Sequence, residues 1–170
     1  MKGSLFIIGF ILFFGCQSKR DTAQKMIRVD HQWLDSIKRS ADTFYVKKYG
    51  TIKFDRAEYY LDKRNDILCQ LMKDSLDSVR QVIITKNSKR SFFAEYYPNG
   101  QLMAQLLLDT FGQYHGHAKY YFPNGLVESE GDYNDGLKTG TWLYNDEIGK
   151  MISKSMYDAN GQIINAAASK

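Results

Sequence analysis

Cysteine and proline are both scarce in this 170-residue chain, two of each, and each scarcity excludes something. One cysteine, Cys16, closes an apolar run near the start, which leaves Cys69 with no second cysteine for an internal bridge. No disulfide framework staples the fold, so stability has to come from packing. Within Ile67–Leu71, Cys69 reads as a small buried hydrophobe, with a reactive or intermolecular thiol as the alternative. A long apolar run is missing too. A bilayer-spanning helix needs about 20 apolar residues, and Leu5–Phe14 supplies ten. Charge of one sign is in small excess, 23 basic against 19 acidic residues, a formal +4. The basic pairs Lys47-Lys48, Lys63-Arg64 and Lys89-Arg90 are scattered and read as solvated turn and edge residues. Nucleic acid wants a clustered basic stripe, so no nucleic-acid partner is expected. Nor is there a G-x-S-x-G, a Cys–His nucleophile arrangement or a phosphate-cradling G-x-G-x-x-G. The expectation is no enzyme, no cofactor and no catalytic residue.

What is present is aromatic and rhythmic. Twelve tyrosines and ten phenylalanines suit half-buried pleated surfaces. Asn99-Gly100 and Asn124-Gly125 lie 25 residues apart, Gly125 and Gly149 lie 24 apart, and Gly136 and Gly161 lie 25 apart. Gly140 keeps the same period with Gly116, 24 residues before it. Turn signals fall near 65, 76, 87, 99, 112, 124, 136, 149 and 161, about every twelve residues. Short strands at that spacing predict an antiparallel all-β meander. Asn-Gly between strand-like runs predicts hairpins with type I′ turns, which need φ > 0 at both central residues. The two prolines precede the Asn-Gly pairs, where they end strands. Aligning Gly125 with Gly149 sets Ala118, Tyr120 and Phe122 over Trp142, Tyr144 and Asp146.

Upstream, residues 55–91 fit a helical stripe (Leu68, Met72, Leu76, Val79) or three strands, Glu58–Asp62, Ile67–Lys73 and Val79–Thr85. The cadence decides for irregular β-hairpins. From Met26, apolar spacing predicts a helix of three to four turns with Trp33, Ile37, Ala41 and Phe44 on one face, then a strand beginning near Thr43. His31 reads as a surface or cap residue. The fold class is therefore mainly β, an elongated antiparallel meander with a short N-terminal helix.

Two resemblances add to this. Met1–Gly15, with Lys2 followed by a ten-residue apolar core and then Gly15-Cys16, resembles the signal peptide and lipobox of bacterial lipoproteins. It implies that Cys16 is lipidated and becomes the mature N-terminus, with residues 16–25 as a polar tether and residues 26–54 as the helix and first strand. Two or more acyl chains give stable attachment where one gives only K of about 10⁴ M⁻¹. The implied location is the cell envelope, on the outer membrane before the inner. Downstream, Tyr97-Pro98-Asn99-Gly100-Gln101-Leu102 and Phe122-Pro123-Asn124-Gly125-Leu126-Val127 carry a Y-x-N-G-x-L pattern. Gly131-Asp132-Tyr133-Asn134-Asp135-Gly136-Leu137-Lys138-Thr139-Gly140-Thr141-Trp142 carries G-x-Y-x-x-G-x-x-x-G-x-W. On these residues 92–164 resemble MORN repeats in the bacterial variant called YwqK-type antitoxin-like. The resemblance implies side-by-side hairpins forming a twisted sheet, with 55–90 and the tail Ile163–Lys170 as caps and 165–170 as the tail beyond the repeats.

Four groups of side chains are weighed as sites. His115 and His117 could share a strand side, but no further ligands complete a metal site, so none is expected. Glu128, Glu130 and Asp132 alternate on one strand and read as an acidic surface stripe. Asn99, Gly100, Asn124, Gly125, Gly136, Gly140, Gly149 and Gly161 read as turn hardware. Tyr96, Tyr97, Tyr114, Tyr121 and Trp142 are the candidates for binding, because Tyr and Trp dominate interface hot spots. The functional expectation is a lipid-anchored, non-enzymatic interaction module with a protein partner. Alternatives are toxin neutralisation by direct binding and recognition of lipid head groups or glycans.

Overall fold

The computed structural model describes residues 31–168; Cys16, the tether and the surroundings of the His31 side chain lie outside the described residues. One helix, α1 (His31–Ser40), precedes β1 (Thr43–Lys48), β2 (Arg56–Asp62), β3 (Ile67–Lys73), β4 (Val79–Lys86), β5 (Lys89–Tyr96), β6 (Leu102–Leu107), β7 (Gly116–Tyr121), β8 (Val127–Asn134), β9 (Leu137–Asn145), β10 (Met151–Tyr157) and β11 (Ile163–Ala168). The strands form one antiparallel sheet in strict chain order. The meander is thus as expected. Residues 56–86 are strands, on nearly the bounds that the cadence gave, and β11 takes in residues read as tail.

Alternation gives the sheet two different faces. Phe92 belongs to a cluster with Cys69, Leu71, Val82, Ile84 and Ala94. Its neighbour Phe93 packs against the other cluster, Leu106, Ala118 and Trp142. A ten-residue helix is marginal alone, and α1 is held by docking Trp33, Leu34 and Ile37 on the first cluster, with Trp33 and Phe92 ring centroids 5.9 Å apart. These side chains are half-buried, so each contributes less than the full-burial value of about 1.5–3 kcal/mol. Lys38 and Arg39 in the last turn oppose the carbonyl end of the helix dipole.

The helix face is shorter than the spacing suggests. The Asp42 N–H donates to the Leu61 carbonyl at 2.8 Å, which draws the chain into the sheet. Ala41 and Phe44 therefore lie beyond the helix, and Phe44 rests in β1 against the Tyr60 ring at 4.9 Å.

The turn chemistry also differs from expectation. At Pro98-Asn99-Gly100 only Gly100 has positive φ, 83°. Gly100 N–H donates to the Tyr97 carbonyl (2.9 Å) and Tyr97 N–H to the Gln101 carbonyl (2.8 Å). This is a three-residue loop with a left-handed glycine closing it, which Pro98 favours because its fixed φ suits an ordinary turn. The same bond pair recurs at Asp109–Gln113, Phe122–Leu126, Asp146–Lys150 and Asp158–Gln162. The two-residue turns with both φ positive are instead Asn87-Ser88 (50° and 60°) and Asp135-Gly136 (51° and 79°).

Asn99 and Asn124 each do two jobs. Asn99 Oδ1 accepts from Gln101 N–H (3.0 Å) while its Nδ2 donates to the Pro123 carbonyl (2.9 Å). Asn124 repeats this on Leu126 N–H (3.0 Å) and the Glu147 carbonyl (2.7 Å). The repeat period thus clips the turn at Asn99 to the turn at Asn124, and that turn to the one at Glu147. Tyrosine pairs follow the same period, Tyr120 with Tyr133 and Tyr144 with Tyr157, each hydroxyl pair at 3.0 Å.

Candidate functional site

A groove of about 560 Å³ opens on the sheet, bounded by Ile83 and Phe93 on the strands, Arg90 at the β4–β5 end, Tyr114 from the β6–β7 connection and Leu137 at the start of β9. The β6–β7 connection is what turns a sheet surface into a groove. Leu108 N–H donates to the Ser91 carbonyl (3.1 Å), His115 N–H to Leu107 (3.1 Å), and Gly136 N–H to Tyr114 (2.9 Å). Inside the loop Asp109 Oδ1 accepts from Phe111 N–H (2.8 Å) and Gln113 N–H (2.9 Å). The Gln113 and Phe111 amides hold the Asp109 carboxyl below its ordinary range. The Tyr114 ring leans on Tyr133 at 5.3 Å. So the wall is tied at both ends and in the middle.

The tip of that wall is Phe111, 87% exposed, with the Lys89 ammonium 6.0 Å from its ring centroid. Gln81 is engaged, its Nε2 donating to Glu95 Oε1 at 3.3 Å. Lys89 and Arg90 are exposed, and neither forms an ion pair among the described residues. The groove is therefore lined by apolar strand residues with Arg90 at one end and Asp135 at the other, and Phe111 with Lys89 stands next to it, outside its lining. Such a surface can grip a partner side chain and orient it by charge.

The five aromatic candidates do not converge. Tyr114 reaches the groove. Trp142 is fully buried, its Nε1 donating to the Asp132 carbonyl at 3.0 Å, and its place in the binding set is corrected: it is core. The reason is Gly131 on β8, whose missing side chain lets the indole lie flat on the sheet. Tyr96 packs against the helix-covered cluster, and burial pushes its hydroxyl up to about 12. The Tyr97 hydroxyl donates to the Tyr121 carbonyl at 2.8 Å, so that pair serves the scaffold and leaves the rings half-buried. Leu137 and the neighbouring Phe111 were not weighed as site residues from sequence, and Arg90 was read as a solvated turn residue; the one available signal was the turn at Gly112, which placed Phe111 at a loop tip.

The polar candidates assemble elsewhere. His117 Nδ1 lies 3.1 Å from Asp132 Oδ1, and its Nε2 lies 3.4 Å from Glu130 Oε2. Lys119 Nζ lies 2.8 Å from Glu130 Oε2, and that lysine is the first cause of a Glu130 carboxyl below its usual range. His115 and Glu128 stay outside this network. Its two ring nitrogens face separate carboxylates, an arrangement for cross-strand pairing rather than chelation. Among the described residues no group of His, Cys, Asp and Glu is arranged to hold a metal. Cys69 is buried, and burial raises its thiol to about 12; its short row neighbours Tyr60 and Ile84 fit the packing role.

Comparison with protein families gives a match to the one described as MORN repeat variant, over residues 93–108 and 114–135. The matched segments hold the second half of β5, all of β6, then β7 and β8, so the chain carries MORN-variant repeats there. No curated protein matches. Among solved structures, one titled "Crystal structure of accessory secretory protein 1,2 and 3 in Streptococcus pneumoniae" aligns with 20% identity over 61% of this chain and 20% of that one, TM-score 0.36. Another, titled "Crystal Structure of TarM", aligns with 9% identity over 67% of this chain and 25% of that one, TM-score 0.34. This chain thus spans a quarter or less of either relative, and at that level of similarity neither bears on what it does.

Proposed function

We propose that this chain is a lipid-anchored, non-enzymatic interaction module of the bacterial cell envelope, and that its MORN-variant sheet binds a protein partner through the groove beside Phe111. The observation that carries the reading is the braced β6–β7 wall. A loop held by backbone bonds to Ser91, Leu107 and Gly136 presents an 87% exposed phenylalanine beside the Lys89 ammonium. Exposing a large aromatic on a rigid support lowers the ordering cost of association, as interface anchors require. The Gly15-Cys16 junction after a ten-residue apolar run supports the anchor and the location. No described helix is long and apolar enough to cross a membrane, so attachment in this reading rests on the acyl chains at Cys16.

Two experiments test the two halves. Cys16→Ser should move the protein from the membrane fraction to the soluble fraction, and full retention would sink the anchor. Phe111→Ser should abolish co-purification of the partner captured by wild type after cross-linking in cells. Unchanged capture would remove the groove from the reading. Toxin neutralisation is a special case of the same binding mode, and recovery of a cytotoxic protein as that partner would select it.

A further inference from the structure

The chain holds three Asn-Gly pairs, Asn99-Gly100, Asn124-Gly125 and Asn160-Gly161, and all three close the same kind of loop. Their glycines have positive φ, 83°, 86° and 74°. Each glycine N–H donates to the carbonyl three residues before it, at Tyr97 (2.9 Å), Phe122 (2.9 Å) and Asp158 (3.1 Å). All three asparagines are exposed. Their side chains are held differently, and the first residue of each loop decides how. Tyr97 and Phe122 offer no short acceptor there, so Asn99 and Asn124 supply the Oδ1 that accepts from Gln101 and Leu126 N–H. Their Nδ2 groups are clipped in turn to the Pro123 and Glu147 carbonyls. In the third loop Asp158 comes first, and its Oδ1 accepts from both Asn160 N–H (2.9 Å) and Gln162 N–H (2.8 Å). A carboxylate outcompetes a neutral amide for such donors. The Asn160 carboxamide is left with no hydrogen bond among the described residues.

We infer that Asn160-Gly161 is a site of spontaneous deamidation, and that its conversion to isoaspartate loosens β11 from β10. The Gly161 main-chain nitrogen gives up its proton to solvent base and attacks Asn160 Cγ. The N–Cγ bond forms and the Cγ–Nδ2 bond breaks. The departing Nδ2 takes a proton from solvent and leaves as ammonia, and a five-membered succinimide remains. Water then opens that ring at either carbonyl, giving aspartate or isoaspartate. Glycine suits the step because no Cβ hinders the approach of its nitrogen. At Asn99 and Asn124 the same attack has first to break both side-chain bonds. Either product carries a new negative charge, and in isoaspartate the main chain runs through one extra methylene. That methylene falls inside the loop that sets the β10–β11 register, and β10 is the one strand that holds β11 among the described residues.

Trypsin places the three pairs on separate peptides, residues 91–119, 120–138 and 155–170, so one digest compares them within one molecule. The purified protein is aged in buffered water enriched in ¹⁸O, where opening of the ring fixes one heavy oxygen at each site that reacts. Mass spectrometry of the peptides then follows each site, and electron-transfer fragmentation separates isoaspartate from aspartate. Asn160 converts about tenfold or more faster than Asn99 or Asn124. In guanidinium chloride, where the side-chain bonds are gone, the three rates converge. Hydrogen exchange of the aged protein shows 155–170 less protected and 120–138 unchanged. Equal rates in the native protein, a lead taken by Asn99 or Asn124, or an Asn160 lead that persists undiminished in denaturant overturns the deamidation site. Undiminished protection of β11 in the converted protein overturns the loosening. Neither readout involves the groove, so the binding proposal stands or falls separately.

Discussion

Gly131→Ala should be the most damaging single-methyl addition in this sheet. A Cβ at Gly131 would lie 2.5–2.6 Å from Trp142 Cγ, Cδ2 and Cδ1, well inside van der Waals contact. The indole has nowhere to retreat. Tyr133 meets it edge-on at 5.1 Å, Tyr120 and Tyr144 flank it at 6.2 and 6.4 Å, and Tyr157 stands at 6.5 Å. Lys138 Nζ caps the ring at 4.0 Å, and the Nε1 bond to Asp132 fixes its tilt. Overpacking of a closed core costs about 1–3 kcal/mol and occasionally more, and this site should lie at the upper end. For a chain of this size that is a fall in Tm of roughly 5–10 °C. Near-ultraviolet circular dichroism of the soluble form, which reports the environment of the two tryptophans, follows the melt. The clash predicts strong coupling: in a Trp142→Ala background, Gly131→Ala should cost under about 0.5 kcal/mol, giving an interaction term of about 2 kcal/mol. Equal cost in both backgrounds would show that the glycine is needed for its backbone and refute the reasoning.

Three other outcomes follow from the described contacts. Asn124→Asp keeps the acceptor for Leu126 N–H but removes the donor to the Glu147 carbonyl, and urea titration should show a loss of about 1 kcal/mol. Burial alone would raise the Glu58 carboxyl, but hydrogen bonds from Lys73 and Tyr60 with the Lys73 and Arg56 charges outweigh it; Asp77 is lowered first by its bond from Lys73. Depressed carboxyls contribute stability above their unfolded pKa values, about 4, and lose it as pH falls through the folded ones. The melting temperature should therefore hold from pH 7 to 5 and drop below about pH 4, with a shallower acid slope in Glu58→Gln. Cys69, buried with its thiol raised to about 12, should resist a disulfide reagent at pH 8 until denaturant is added; prompt labelling of the native form would contradict its packing role.

Strand order and strand positions were legible because glycine marks seven of the ten reversals, the even cadence carries the other three, and consecutive antiparallel strands need no crossover. Turn type was less legible. Asn-Gly admits a two-residue or a three-residue loop, and the longer one forms after Pro98 and Pro123 and equally after Ala159. The burial of Trp142 depends on Gly131 across the ladder, a relation that becomes visible only with the register. The groove was hidden for a related reason. Arg90, Tyr114 and Leu137 come from three separate reversals, and the backbone bonds of the β6–β7 connection bring them to one place. Fold follows from local periodicity here, whereas the site is made by departures from it.

The central claim is that the partner engages the groove beside Phe111 while the protein stands on a membrane. Site-specific photo-cross-linking in living cells addresses it directly, with the photoreactive residue placed at position 111 or at exposed Ile163 of the lipidated chain. The account predicts a discrete membrane-fraction adduct from position 111 that disappears with Arg90→Glu, and none from position 163. An adduct from position 163 alone, or one from position 111 indifferent to Arg90, would contradict it.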